Sequence, residues 1–189
     1  MAPANASVAP SLLLAMPQLQ DPNFARAVVL LCEYGPEGAM GFVVNRPTGL
    51  RAAEAVSLDP PAAGDSGLEL WTGGPVETHR GFLLLGNDPE IDGSERIADG
   101  FHLTASLDVL RSLIETTPAE LAGRHCRLLL GYAGWGPGQL DAELAASAWL
   151  LAPADPRLVF EAEADAMWEQ AIRGLGVDPM ALTPAPGTQ

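Results

Sequence analysis

The chain contains no lysine: all 10 of its basic residues are arginine, set against 24 aspartates and glutamates. That absence removes Schiff-base lysine chemistry, lysine-anchored pyridoxal phosphate and a Walker P-loop, each of which needs a primary amine. The formal net charge of −14 and the scatter of the arginines from Arg26 to Arg173 also disfavour direct nucleic-acid binding, because a polyanion has to be met by clustered positive surface. Cysteine is scarce. Cys32 and Cys126 lie far apart in apolar, strand-like stretches and neither belongs to a CxxC pair, which reads as two reduced core residues rather than a disulfide or redox pair. His79, His102 and His125 are singletons without HxxxH or HExxH spacing, so no metal is expected, and no motif calls for a cofactor. No apolar run approaches the roughly 20 residues of a membrane-spanning helix. The N-terminal MAPANASVAPSLLLAMP carries no basic residue ahead of its short apolar run, which argues against a secretory signal and for the cytoplasm, with no membrane partner.

What is present suits a globular fold. With 189 residues, 48% of them hydrophobic, the chain is long enough for one domain with a full core. We read residues 1–10 as a loose leader, 11–182 as a single domain and 183–189 as a loose tail. The organising stretch is Arg127 to Leu151, RLLLGYAGWGPGQLDAELAASAWLL. Leu128 to Leu130 form a short buried-type strand, and Gly131, Gly134, Gly136 and Gly138 make a flexible turn. Pro137 then fits the first turn of a helix with Leu140, Leu144, Ala148 and Leu151 on one face and Trp149 on the opposite one. A strand, a glycine-rich turn and a helix N-terminus suit a phosphate or carboxylate, yet the spacing matches no nucleotide-binding fingerprint and Pro137 removes one N–H donor. The alternative is that these glycines serve close packing beneath Tyr132 and Trp135.

The remaining chain divides into short elements. Leu12–Ala15 reads as a strand. Asp21-Pro22 starts a single helical turn, and 27–34 is a strand apolar enough to be covered on both faces. GPEG at 35–38 is hairpin chemistry and 39–46 resumes as a strand, with Asn45-Arg46 aimed out of the sheet end before Pro47. A short helix over 51–56 and a loop over 57–67 precede strands at 68–72 and 81–85, which flank the GGPVETHR turn. The loop 86–95 leads to a hairpin turning at Asp99-Gly100. A helix follows, capped by Thr104 or Ser106 and striped with Leu107, Leu110, Leu113 and Ile114. Pro118–Leu121 is a helical connector. Residues 157–161 read as a strand, and 164–175 as a helix with Ala164, Met167, Trp168, Ala171, Ile172 and Leu175 on one face, ended by Gly176 and Pro179.

Chemistry has few places to sit. GDSG at 64–67 resembles the nucleophile motif of trypsin-like proteases, but Leu68 follows it and no histidine motif precedes it. Asp141 and Glu143 fall where acidic side chains favour a helix N-terminus, and would repel a bound anion. Arg46 beside Pro47 either clamps an anionic ligand or pairs with one of the 24 carboxylates. The candidate ligand-binding residues are therefore Asn45 and Arg46 at one strand end. To these we add Thr72, Gly73 and Gly74 at the second glycine turn, and Tyr132, Gly134, Trp135 and Gln139 in the central loop.

Four blocks in order, MPQLQDPNFARAVVLLCEYGPEGAMGFVVNRPT, WTGGPVETHRGFLLL, LLGYAGWGPGQLDAELAASAWL and LVFEAEADAMWEQAIRGLG, resemble the YqgE/AlgH family of bacterial proteins over roughly residues 11–176. The resemblance implies a single-domain α+β fold with a bifurcated or barrel-like mixed β-sheet surrounded by helices. It implies no established enzymatic activity and a role in transcriptional regulation. Pro137 and the long glycine- and proline-rich segment 57–67 depart from the family pattern. The expectation is a non-catalytic cytoplasmic regulator acting through a protein partner or a small anionic ligand. Its rival is an enzyme acting on a small anionic substrate at the glycine-rich loops.

Overall fold

The computed structural model describes residues 8–19, 21–87 and 93–182. The expected leader lies mostly, and the expected tail wholly, outside them, as does the middle of the 86–95 loop. The fold is α+β and the chain forms two compact units. One comprises the residues up to Asn45 together with those from Ala133 onward, and the other Arg46–Tyr132.

The first unit begins with β1 (Ser11–Ala15), antiparallel to β2 (Val28–Gly35). Between them Asp21 caps a single 3-10 turn by accepting from Asn23 N, with Pro22 in its first position. Val28 to Leu31 have no exposed surface, as their unbroken apolar run predicts. Gly35 and Gly38 face each other across the two-residue turn Pro36-Glu37, and β3 (Gly38–Val43) returns along β2. Beyond β3, Asn45 does not point out of the sheet end. Its carboxamide turns back, accepting from Val28 N at 3.0 Å and donating to Arg26 O at 3.0 Å. Arg26 sits at φ +54, and this clamp holds that left-handed turn.

The second unit opens with a strand that the Pro47 signal hid, β4 (Pro47–Arg51), antiparallel to β5 (Glu69–Thr72). The short α1 (Ala52–Ala55) and an irregular segment separate them. β6 (Val76–Leu85) is longer than expected, β7 (Glu95–Ala98) and β8 (Phe101–Thr104) form the Asp99-Gly100 hairpin, and β8 pairs with β6. Helix α2 (Leu107–Glu115) is capped by Ser106, whose hydroxyl oxygen accepts from Val109 N, and it buries Leu110, Leu113 and Ile114. These pack on Leu70, Leu83, Leu85 and Leu128, a separate apolar core for this unit. Leu107, expected on the same stripe, is 64% exposed. After α3 (Pro118–Ala122) comes β9 (Cys126–Trp135), which has β5 parallel on one edge and β6 antiparallel on the other along Leu128–Leu130. Its last residues, Ala133–Trp135, belong to the first unit and pair antiparallel with β3, while the parallel β5 makes the sheet mixed.

The central stretch differs most from its expectation. Gly131 to Trp135 belong to the strand, not to a glycine turn. The helix α4 (Gln139–Ala145) begins after Gly138, which is its N-cap at φ +75, so Pro137 precedes the helix instead of opening it. It also ends early: Ser147 turns left-handed at φ +58, and Trp149–Ala152 form β10, antiparallel to β1. Leu140 and Trp149 consequently share one core, with Leu13, Val29, Val43 and Trp135. Residues 157–161 are not a strand but α5 (Pro156–Glu161), capped by Asp155 accepting from Arg157 N. Helix α6 (Met167–Gly174) buries Met167, Trp168, Ala171 and Ile172 of the expected face, while Ala164 and Leu175 fall outside the helix and Leu175 is exposed, and Trp168 Nε1 donates to Ala15 O at 2.9 Å. Pro179 opens a last turn, α7 (Pro179–Leu182), where it was expected only to stop a helix.

Candidate functional site

The second unit contains a cavity whose geometry follows from one irregularity in β6. Val76 pairs with Tyr132 and Gly81 with Leu130, so the four residues from Glu77 to Arg80 stand opposite Gly131 alone. Such a bulge re-aims side chains and breaks the ladder locally. Gly131 makes it possible. At φ +74, a Cβ on this residue would collide with the Gly74 and Val76 carbonyl oxygens and would come within 3.2 Å of Thr78 Cα. Glu77 takes the compensating left-handed conformation, φ +46. Burial first, and then the Glu77 carboxylate, raise the Tyr132 phenol above its ordinary 10.0. Arg80 pairs with Glu77 at 3.4 Å and lies over the Phe82 ring at 4.9 Å.

Beside the bulge, His79 and Gly81 border a cavity of about 180 Å³. Leu83, Leu128 and Leu130 supply its sheet wall, and Leu107 and Leu110 of α2 face them. Thr104, Ala105 and Ser106, where β8 passes into α2, complete the mouth. Thr104 is 8% exposed, and its Oγ1 accepts from Ser106 N at 3.2 Å. Ser106 Oγ accepts in turn from Val109 N at 3.3 Å. The result is an apolar chamber with two hydroxyls and an imidazole at its mouth, the general form of a small-molecule site.

The expected site residues fall into two groups, one in each unit. In the second, Arg46 O accepts from Thr72 N at 2.9 Å, Gly73 N donates to Leu130 O at 2.7 Å, and a Cβ on Gly73 would strike the Gly131 carbonyl oxygen. Thr72, Gly73, Gly74 and Tyr132 thus lie beside Gly131, where the glycines permit backbone to meet backbone, and Arg46 joins them through the bond of its carbonyl to Thr72. In the first unit, Trp135 Nε1 and Trp149 Nε1 both donate to Glu143 Oε2, at 2.9 and 2.7 Å. Gln139 donates to Glu143 Oε1 at 3.1 Å and accepts from Gly136 N at 3.1 Å. Asp141 accepts from the Tyr34 hydroxyl, and that bond, foremost among the causes, raises the Tyr34 pKa. Gly134 is an exposed strand residue paired with Met40, and Asn45 is the clamp already described. Glu143 and Asp141 therefore hold neighbouring side chains, not merely a helix dipole.

A family model described as AlgH-like matches residues 12–180. The chain belongs to the AlgH-like family. Its relatives include a UPF0301 protein of Ruegeria pomeroyi, 42% identical over 183 residues and covering 93% of this chain and 96% of that one. A UPF0301 protein of Myxococcus xanthus is 42% identical over 178 residues, covering 93% and 95%. Among solved structures, the solution structure of the AlgH protein from Pseudomonas aeruginosa is similar with a TM-score of 0.73, 36% identity and full coverage of both chains. A crystal structure of a Corynebacterium diphtheriae protein shares the fold, with a TM-score of 0.67 at 21% identity over 96% and 90% of the two chains.

In this AlgH-like chain, sequence reasoning passed over the residues at the cavity mouth. In the sequence His79 reads only as a lone histidine without metal spacing, and Thr104 and Ser106 only as helix caps. The usable signal was Gly81, a glycine before the apolar run FLLL with no turn chemistry to account for it. Arg127 was also missed as a singular residue. It is 6% exposed and stacks 3.8 Å above the Trp71 ring, and burial lowers its pKa to about 10 against the pull of Glu69.

Proposed function

We propose that this AlgH-like protein is a non-catalytic cytoplasmic regulator, acting on transcription indirectly, by binding a small ligand or a protein partner at the cavity beside the β6 bulge. One observation carries the reading. Asn45, Gln139, Asp141 and Glu143 are each committed to hydrogen bonds that hold backbone or side chains in place, and the glycines around Gly131 are used for close approach. The cavity, in contrast, joins leucine walls to a few polar atoms, which favours holding a ligand over transforming one. Its family kinship with AlgH fits a regulatory role, and the −14 charge favours an indirect route to DNA.

Gly81→Leu tests this. A Cβ at Gly81 would meet Leu128 Cδ1 at 3.6 Å and Leu130 Cδ2 at 3.9 Å, ordinary contacts, so the backbone admits a side chain directed at two cavity walls, and an unchanged circular dichroism spectrum checks that the leucine variant folds. In a strain lacking the chromosomal copy, wild type restores the transcript profile and Gly81→Leu does not. Equal restoration by both, or turnover by the purified protein across a hydrolase panel, overturns the reading.

A further inference from the structure

We infer that the cavity beside the β6 bulge takes a small acyl compound, seating within it an aromatic or branched aliphatic group about the size of a single ring beside one oxygen that accepts hydrogen bonds. The inference rests on the binding reading above and names the ligand's chemistry. Size comes first. Sites for drug-sized molecules usually run from roughly 300 to 1,000 Å³, whereas an apolar cavity of roughly 150 Å³ admits benzene. At about 180 Å³ this one belongs with the second class. Its walls fix the character of the body: Leu83, Leu110, Leu128 and Leu130 offer only methyl and methylene groups.

The head group follows from the hydrogen bonds at the mouth. Thr104 Oγ1 already accepts from Ser106 N, and Ser106 Oγ from Val109 N, so what each hydroxyl has left to give is its hydrogen. Thr104 is nearly buried, so water reaches it poorly, and a donor placed there is best satisfied by an acceptor brought with the ligand. His79 adds a third potential donor. Three donors and no carboxylate line the cavity, which favours a carbonyl or carboxylate oxygen over an ammonium group or a bare hydrocarbon; the lone pair left on each hydroxyl also suits the N–H of an amide. Asp108, exposed in the first turn of α2, stands near enough in sequence to weigh against an anion, so the acid and the amide are separate arms of the test.

The probes are benzamide, benzoate and toluene, which share a ring and differ in the acceptor and its charge. Binding is read from amide shifts of Gly81, Thr104 and Leu107 in titrations of the uniformly 15N-labelled full chain. At least one of benzamide and benzoate binds about fivefold or more tightly than toluene, the worth of one neutral hydrogen bond. The tighter of the two shows whether the oxygen is carbonyl or carboxylate. Thr104→Val keeps the shape and removes the hydroxyl; toluene then binds as before and the preference collapses toward onefold. Gly81→Leu abolishes binding of all three, with an unchanged circular dichroism spectrum as the folding control. The inference is overturned if no probe shifts these amides up to its solubility, if toluene binds as tightly as both acyl probes, or if Gly81→Leu binds them unchanged. A Gly81→Leu variant that fails to restore the transcript profile while no probe binds leaves the regulatory reading standing and removes this ligand class.

Discussion

Replacing Glu143 should destabilise the first unit by leaving two buried indole donors without their acceptor. Its Oε2 is the shared acceptor for Trp135 Nε1 and Trp149 Nε1, and those residues are only 6% and 2% exposed. The rings are in contact, 5.9 Å between centroids at 76°, and Phe24 stacks on Trp135 at 6.3 Å, so neither indole can turn to find another partner without disturbing the core. A buried donor left unsatisfied costs about 1–3 kcal/mol, and hydrogen bonds to a charged acceptor lie at the upper end of the scale. Glu143 itself is half-buried, so water at its position recovers part of the loss. Taking about 1–1.5 kcal/mol for each indole, Glu143→Ala should destabilise by about 2–3 kcal/mol, or roughly 5–10 °C in Tm for a chain of this size. Glu143→Gln keeps an oxygen in place and should lose about 1 kcal/mol. Urea unfolding followed by tryptophan fluorescence measures both, and the emission of Glu143→Ala should shift as the indoles lose their acceptor. A loss below about 1 kcal/mol for Glu143→Ala, or equal losses for the two variants, would refute the shared-acceptor argument.

Three other outcomes follow from the same geometry. Gly131→Ala forces a Cβ into the Gly74 and Val76 carbonyl oxygens at φ +74 and should destabilise by about 3 kcal/mol or more, while Gly81→Ala stays within about 0.5 kcal/mol; thermal unfolding of the pair checks this. Asn45→Ala removes both bonds of the Arg26 clamp and should cost about 2 kcal/mol in urea unfolding while leaving probe affinity at the cavity unchanged. The Glu120 carboxyl accepts first from Thr117 N and then from the Thr116 and Thr117 hydroxyls, which lowers its pKa below the ordinary 4.5. Because the folded value is the lower one, this stabilisation is present above pH 4.5 and is lost as the pH falls through the folded pKa; carbon-detected NMR titration should show the midpoint rising in Thr116→Ala/Thr117→Ala.

Where the sequence predicted the fold well, a local signal and a tertiary one agreed. Asp21-Pro22, the Pro36-Glu37 hairpin and the Asp99-Gly100 turn each carry their own chemistry, and the apolar run at Val28–Leu31 is buried as its composition requires. The failures came where one pattern served two ends. Leu140, Leu144, Ala148 and Leu151 keep helical spacing, but Trp149–Ala152 finds a ladder with β1, and a paired edge outweighs continued helix when Ser147 can turn left-handed. At Asp155-Pro156 the reverse holds: the same cap that marks the turn at Asp21 starts a helix, although the run Leu158-Val159-Phe160 is as compatible with a strand.

The candidate site was harder to read because it depends on register, which composition does not encode. Nothing local to VETHRG announces that Glu77 to Arg80 oppose a single residue; that follows from Gly131, some fifty positions away, whose missing side chain lets the chain of Gly74 to Thr78 fold over it. The bulge in turn takes His79 out of the ladder, beside the still-paired Gly81, near where β8 ends at Thr104 and α2 begins, so the cavity lies between a strand that bends and a strand that stops. On this argument the glycine-rich motifs that looked like ligand cradles act one step removed from any ligand. They fix the register of β6 on β9, and the register makes the cavity. A glycine substitution at position 131 should therefore change probe binding as well as stability, whereas disturbing the Glu143 cluster in the first unit should change stability alone.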